Sequence, residues 1–144
     1  MKYIDSLPDF YIAKTKDHHL GVFTSKHIKK GTVIFTMKGD IINYPTRTSV
    51  QIGKTQHIEN QLAGYINHAC HPNAKVNKKN HTFVSLRDIP KDEEITFDYN
   101  KNEDILASPF RCFCCHKKIL GKKVNFPSLT KLKEKLKQIK SVPI

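Results

Sequence analysis

No apolar run in the 144 residues approaches the ~20 residues that a membrane-spanning helix requires. The most apolar stretches, such as Thr32 to Met37, stop at Lys38. The first residues offer no secretory leader, because Asp5 and Pro8 stand where its apolar core would run, and a cytoplasmic setting is expected. Arginine is scarce: Arg47, Arg87 and Arg111 stand against 22 lysines. Bidentate forks that grip phosphates or read guanines are therefore few, and the excess charge reads first as a lysine-rich solvated surface. Acid is scarce too. Thirteen acidic residues against 25 basic ones leave a formal net charge of +12, and between Lys117 and Lys140 nine lysines face the single Glu134. Such a field attracts polyanions in a salt-dependent way, so nucleic acid or an acidic protein is one partner class for this tail. Cysteine is limited to Cys70, Cys112, Cys114 and Cys115. The last three lie too close in sequence to pair well with one another, which makes metal binding the first alternative.

What is present suits one folded domain. The chain is 38% hydrophobic and 26% charged, and its length permits a single core burying about two thirds of the unfolded surface. Short runs rich in Ile, Val, Phe, Tyr and Thr dominate the first hundred residues. They predict strands over Phe10–Ala13, Leu20–Thr24, Thr32–Met37, Gly39–Asn43, Val50–Ile52, His57–Glu59, Thr82–Arg87 and Glu94–Tyr99, separated by turn signals such as Lys30-Gly31, Pro72-Asn73 and Pro90-Lys91-Asp92. The segment Phe23 to Ile34 matches Val84 to Ile95 at several apolar, basic and turn positions, with Gly31 and Asp92 in the same slot. Both residue types tolerate the turn conformations that bulkier ones avoid. Beyond Tyr99 a polar stretch leads to the cysteines and then to a predicted helix, with Ser128 as N-cap and Leu129, Leu132, Leu136 and Ile139 along one face.

Three segments carry unusual chemistry: His18-His19-Leu20-Gly21-Val22-Phe23, Tyr65-Ile66-Asn67-His68-Ala69-Cys70-His71-Pro72-Asn73, and Glu93-Glu94-Ile95-Thr96-Phe97-Asp98-Tyr99. Taken singly, His68 reads as a satisfied structural histidine, and Tyr99 as a core or interface tyrosine at a strand end. Glu93 and Glu94, after a turn, are expected in solvent. Strand alternation puts Ile95, Phe97 and Tyr99 on one face.

Together, in this order, the segments resemble the SET-domain family of protein lysine methyltransferases. The Asn-His-x-Cys-x-Pro-Asn signature at Asn67 to Asn73 and the run Glu93 to Tyr99 carry the resemblance, which extends from about Tyr11 to Lys123. It implies a mainly β, SET-type (β-clip-like) fold of small curved sheets with a pseudoknot, a threading that folds usually avoid. It also implies a SET domain over residues 1–111, a post-SET-like cysteine cluster over 112–123 and a basic helical tail over 124–144. The implied activity is methyl transfer from S-adenosylmethionine to a lysine ε-amine of a protein substrate. Tyr99 corresponds to the catalytic tyrosine. His19, Leu20, Gly21, Val22, Asn67 and His68 correspond to cofactor-holding positions, with Tyr65 and Phe97 walling the site and Phe110 and Phe113 covering the adenine. Cys70, Cys112 and Cys114 match a zinc module. Its third tail cysteine is replaced by Ile119, leaving Cys115, or His116, as a fourth ligand, against a reading of the three tail cysteines as simple thiols. The family's tyrosine before the Gly39 turn is Met37 here, its arginine before Asn67-His68 is Gly64, and His19 replaces the first glycine of Gly-x-Gly. A non-catalytic basic module binding nucleic acid or an acidic protein is the rival reading.

Overall fold

A computed structural model describes residues 9–112 and 115–125. The tail helix expected beyond Pro127, together with Phe113 and Cys114, lies outside the described residues. Strands β1 (Phe10–Lys14) and β2 (Leu20–Thr24) form an antiparallel hairpin with Phe10 opposite Thr24. Its turn closes through the Thr15 N–H donating to His19 O at 2.7 Å. Two three-stranded antiparallel sheets follow. One orders β3 (Val33–Thr36), β9 (Thr82–Ser85) and β8 (Ala74–Asn77); the other orders β4 (Asp40–Ile42), β6 (Gln56–Glu59) and β5 (Val50–Gly53). A 3-10 turn, Ala63–Tyr65, leads into β7 (Asn67–His68), which pairs in parallel with β10 (Thr96–Phe97). Helix α1 (Tyr99–Asn102) follows directly, and the hairpin β11 (Phe110–Arg111) with β12 (Lys118–Ile119) precedes α2 (Lys122–Asn125). No helix among the described residues is long and apolar enough to cross a membrane.

The two matching segments of the sequence meet each other. Ile28 and Ile89 exchange both backbone hydrogen bonds, at 2.9 and 2.8 Å. Gly31 N–H donates to Ser85 O and Asp92 N–H donates to Thr24 O. Each bond maps onto its counterpart under the 61-residue offset between Ile28 and Ile89, so the pair is locally two-fold symmetric. Gly31 and Asp92 both take left-handed backbone, φ +78° and +68°, the conformation that suits glycine and that aspartate tolerates.

The core runs between the sheets. Val22, Ile28, Met37, Ile58, Ile66, Ile89, Ile95 and Phe97 are buried together around Phe83, whose ring stacks on Phe35 at 5.1 Å. Residues 94–99 run between β2 and β7: Phe23 bridges Glu94, and Ile95 N–H donates to Val22 O. This central passage brings the second and third segments of the sequence side by side.

Candidate functional site

A cavity of about 660 Å³ opens where these segments meet, within the roughly 300–1,000 Å³ typical of cofactor-sized sites. His19, Asn67, His68, Phe97, Tyr99, Phe110 and Cys112 line it, seven of the residues expected from the sequence. Leu20, Gly21, Val22 and Tyr65 do not. Val22 is fully buried in the core, and Leu20 is exposed but presents its carbonyl to Asn67.

Asn67 holds two segments to its own. Its Nδ2 donates to Leu20 O at 2.9 Å and to Glu94 Oε2 at 2.8 Å. His68 does the same for the tyrosine, because its Nδ1 accepts the Tyr99 N–H at 3.0 Å. Burial lowers the His68 pKa, opposed by Asp98, whose carboxylate lies 3.7 Å from Nδ1. Tyr99 does not end a strand as the alternation predicts. Asp98 caps Asn100 N–H, so the chain turns into α1 at Tyr99, and a side-chain acceptor one residue upstream outweighs the β pattern. The Tyr99 ring nonetheless packs on Phe97 at 4.8 Å, with His68 at 5.4 Å and Phe110 at 5.9 Å edge-on. Its hydroxyl donates to Ile66 O. Burial, then Glu103 and Glu94, push that hydroxyl well above its ordinary pKa, with Arg47 opposing.

Glu93 and Glu94 are half-buried rather than solvated. Glu93 is held below the usual carboxylate range: its burial pushes the other way, and the hydrogen bonds from Arg87 and Asn73 outweigh it. Glu94 is raised by burial despite the hydrogen bond from Asn67. Both have long-range partners that local sequence does not announce.

The opposite wall was not legible in the sequence. Thr46 to Val50, Glu103 and Leu106 to Pro109 form it, beside Gly64, the position the sequence marks by its missing arginine. Thr46 and Thr48 hydroxyls donate to Glu59 at 2.8 and 2.9 Å and fix this loop against β6. A Cβ at Gly64 would sit 3.2 Å from Thr48 Cβ, so a larger residue there must push Thr48 aside by a few tenths of an ångström. Met37, by contrast, is buried in the core and does not line the cavity.

Among the described residues, the ligand atoms of His68, Cys70 and Cys112 lie within 4.8 Å of one another. The Cys70 and Cys112 sulfurs are 3.6 Å apart, close to the ~3.8 Å edge of a tetrahedral zinc–thiolate site. His68 belongs to this group by distance but not by protonation. Its Nδ1 accepts the Tyr99 N–H, so in the neutral ring Nε2 carries the proton, 3.4 Å from Cys70 Sγ. Exposed Cys115 and His116 lie outside the group, and Cys114 lies outside the described residues. Two sulfurs thus fit zinc, and no fuller donor set is seen among the described residues.

Comparison with known proteins adds the family. The SET domain family matches residues 19–100. The chain is 32% identical over 135 residues to the histone-lysine N-methyltransferase, H3 lysine-36 specific, of Saccharomyces cerevisiae, covering 76% of this chain and 18% of that protein. It is 30% identical over 135 residues to a variant-silencing SET domain-containing protein of Plasmodium falciparum, covering 74% and 5%. It is 27% identical over 128 residues to histone-lysine N-methyltransferase 2D of Homo sapiens, covering 72% and 2%. The chain thus spans less than a fifth of these relatives' length.

Proposed function

The chain belongs to the SET domain family, and from that membership we propose that it transfers a methyl group from S-adenosylmethionine to a lysine ε-amine of a protein. The observation that carries this reading is the position of the Tyr99 hydroxyl. Tyr99 lines the cavity, its hydroxyl fixed on Ile66 O and its ring framed by Phe97, His68 and Phe110. When bound, S-adenosylmethionine supplies an electrophilic methyl on a sulfonium.

The residues of the chain supply position. A phenol whose pKa is raised by burial and by Glu103 and Glu94 stays protonated at neutral pH, so Tyr99 is no general base. With its proton committed to Ile66 O, its lone pairs are left to accept an N–H from the incoming amine and aim the nitrogen. Alignment with exclusion of water then carries the barrier reduction, the mode suited to an in-line displacement by a neutral amine. Asn67 and His68 are positioning residues: one ties Leu20 and Glu94 to the turn, the other fixes the Tyr99 backbone. His19 and Phe110 are assigned to hold and cover the cofactor, together with Phe113. Cys70, Cys112 and Cys114 are assigned to zinc that would pin the β11 turn to the Asn67 segment.

The relatives' names make histone lysines the first substrates to try. Exposed Lys117, Lys118, Lys122 and Lys123 are assigned to steering toward polyanionic surroundings, nucleic acid included, in a salt-dependent way. The test is calorimetric titration with S-adenosylmethionine, followed by transfer of labelled methyl to core histones. Saturable binding that weakens in Asn67→Ala, with turnover falling about 10²–10³-fold in Tyr99→Phe at nearly unchanged cofactor affinity, is expected. A folded protein that binds no S-adenosylmethionine, or a Tyr99→Phe variant of equal turnover, overturns the reading.

A further inference from the structure

Glu103 is 6% exposed, lines the cavity and forms no ion pair among the described residues. The Lys78 ammonium acts on it only from a distance, lowering its pKa without an ion pair. Lys78 Nζ donates to Asn102 O at 2.8 Å, and Lys122 and Lys123 pair with Asp104. Burial raises the Glu103 pKa, and the hydrogen bonds from Gln51 and Asn102 and the Lys78 charge oppose it in favour of the carboxylate; a buried carboxylate without an ion pair calls for a reason. The contacts it makes can be kept without the charge. Glu103 Oε2 takes both hydrogen bonds, from Gln51 N–H at 2.8 Å and Asn102 Nδ2 at 2.6 Å, and an amide oxygen in its place would accept both, more weakly. Glu103 is also held close to Tyr99, since its own N–H donates to Tyr99 O at 2.8 Å. Among charged groups it is the one whose field bears most on the Tyr99 hydroxyl, ahead of Glu94 and Arg47.

Resting on the methyl-transfer reading, we propose that Glu103 selects charge in this cavity: its carboxylate favours a cationic centre beside the Tyr99 hydroxyl over a neutral group of the same shape. The cation that belongs at that point is the sulfonium, whose methyl the neutral amine receives, in a chain whose net charge of +12 opposes it. A local anion aimed into a low-dielectric site offsets that field where it matters.

Three ligands of nearly one shape separate the possibilities: S-adenosylmethionine, the neutral S-adenosylhomocysteine, and sinefungin, which carries an ammonium in place of the methylsulfonium. Titrated into Glu103→Gln, the two cations should each weaken about tenfold, equivalent to ~1.4 kcal/mol. S-adenosylhomocysteine should hold within about twofold, which also reports that the variant is folded. Glu103→Asp, which keeps the charge, should retain the preference for cations. A preference that survives in Glu103→Gln, or a parallel loss of all three ligands there while Glu103→Asp binds normally, overturns the inference. A wild-type protein that binds none of the three overturns the methyl-transfer reading first.

Discussion

Asn73 holds the passage of residues 94–99 through the fold, and its removal is the sharpest test of that architecture. The residue is 2% exposed. Its Nδ2 donates to Glu93 Oε2 at 2.8 Å and to Glu94 O at 2.7 Å, while its Oδ1 accepts Thr96 N–H at 2.9 Å. Asn73→Ala strips partners from a backbone carbonyl and a backbone N–H, each costing about 1–3 kcal/mol when left unsatisfied. Glu93 keeps Arg87 and adds little to the loss. The total is about 2–6 kcal/mol, or about 6–20 °C in Tm for a domain of this size. Asn73→Asp keeps the shape and the acceptor for Thr96 but turns a carboxylate toward Glu93 and the Glu94 carbonyl. At pH 7 it should cost at least as much. Urea unfolding at constant m-value, with thermal melts alongside, reads both. A midpoint for Asn73→Ala within about 3 °C of wild type would refute the assignment of Asn73 as the staple of this passage.

Glycine substitutions give a paired test by thermal melting. A Cβ at Gly39 would lie 1.9 Å from Glu59 O across the β4–β6 pair, whereas at Gly31 it meets open space with φ +78°. Gly39→Ala should therefore cost well over the ~1–2 kcal/mol of left-handed strain expected for Gly31→Ala; equal costs would deny the close approach. Burial lowers the pKa of both His57 and His68, so their unfolded rings take up protons near pH 6.5 while the folded rings resist. Their stabilising contribution is present above about pH 6.5 and is lost as pH falls toward their folded values. Glu94 and Glu103, raised by burial, run the opposite way. The informative quantity is therefore the change in the Tm-versus-pH slope between pH 7 and 5 on His57→Gln, which should flatten in the sense of losing acid destabilisation. An unchanged slope counts against the buried neutral ring. Finally, zinc measured in the purified protein should be stoichiometric, vanish in Cys70→Ser and persist in His68→Gln; loss in the histidine variant would show that Nε2 is a ligand after all.

Much of the strand order was legible. Leu20–Thr24 matches β2 at both ends, because a compact apolar run between turns leaves little choice. The match between Phe23–Ile34 and Val84–Ile95 foretold two similar strand-turn units, though not that they pair with each other. β8 escaped notice: Ala74-Lys75-Val76-Asn77 offers too little alternation and becomes a strand only because β9 lies alongside. Asn67, His68, Tyr99 and Phe110 were found in the cavity, since a paired motif fixes them. The other wall was not, because Thr46 to Ser49, Glu103 and Leu106 to Pro109 are ordinary loop residues until hydrogen bonds from Gln51 to Glu103, from Thr46 and Thr48 to Glu59 and from Leu106 N–H to Leu120 O hold them in place. Glu93 and Glu94 failed for the same reason. Their burial depends on Arg87, Asn73 and Asn67, up to 27 residues away.

The cavity rests on pairings between distant stretches of chain: Asn67 with Thr96, Gln51 N–H with the Glu103 carboxylate, Phe23 with Glu94 and Ile28 with Ile89. Such pairings incur their loop-closure entropy before any contact rewards it, which slows folding relative to helical domains of equal size. The cavity therefore comes into being late and all at once. During refolding, ligand binding should appear in step with the last kinetic phase, and no fragment ending before Glu94 can carry part of it. The site is a readout of the completed fold rather than of any one of its hairpins.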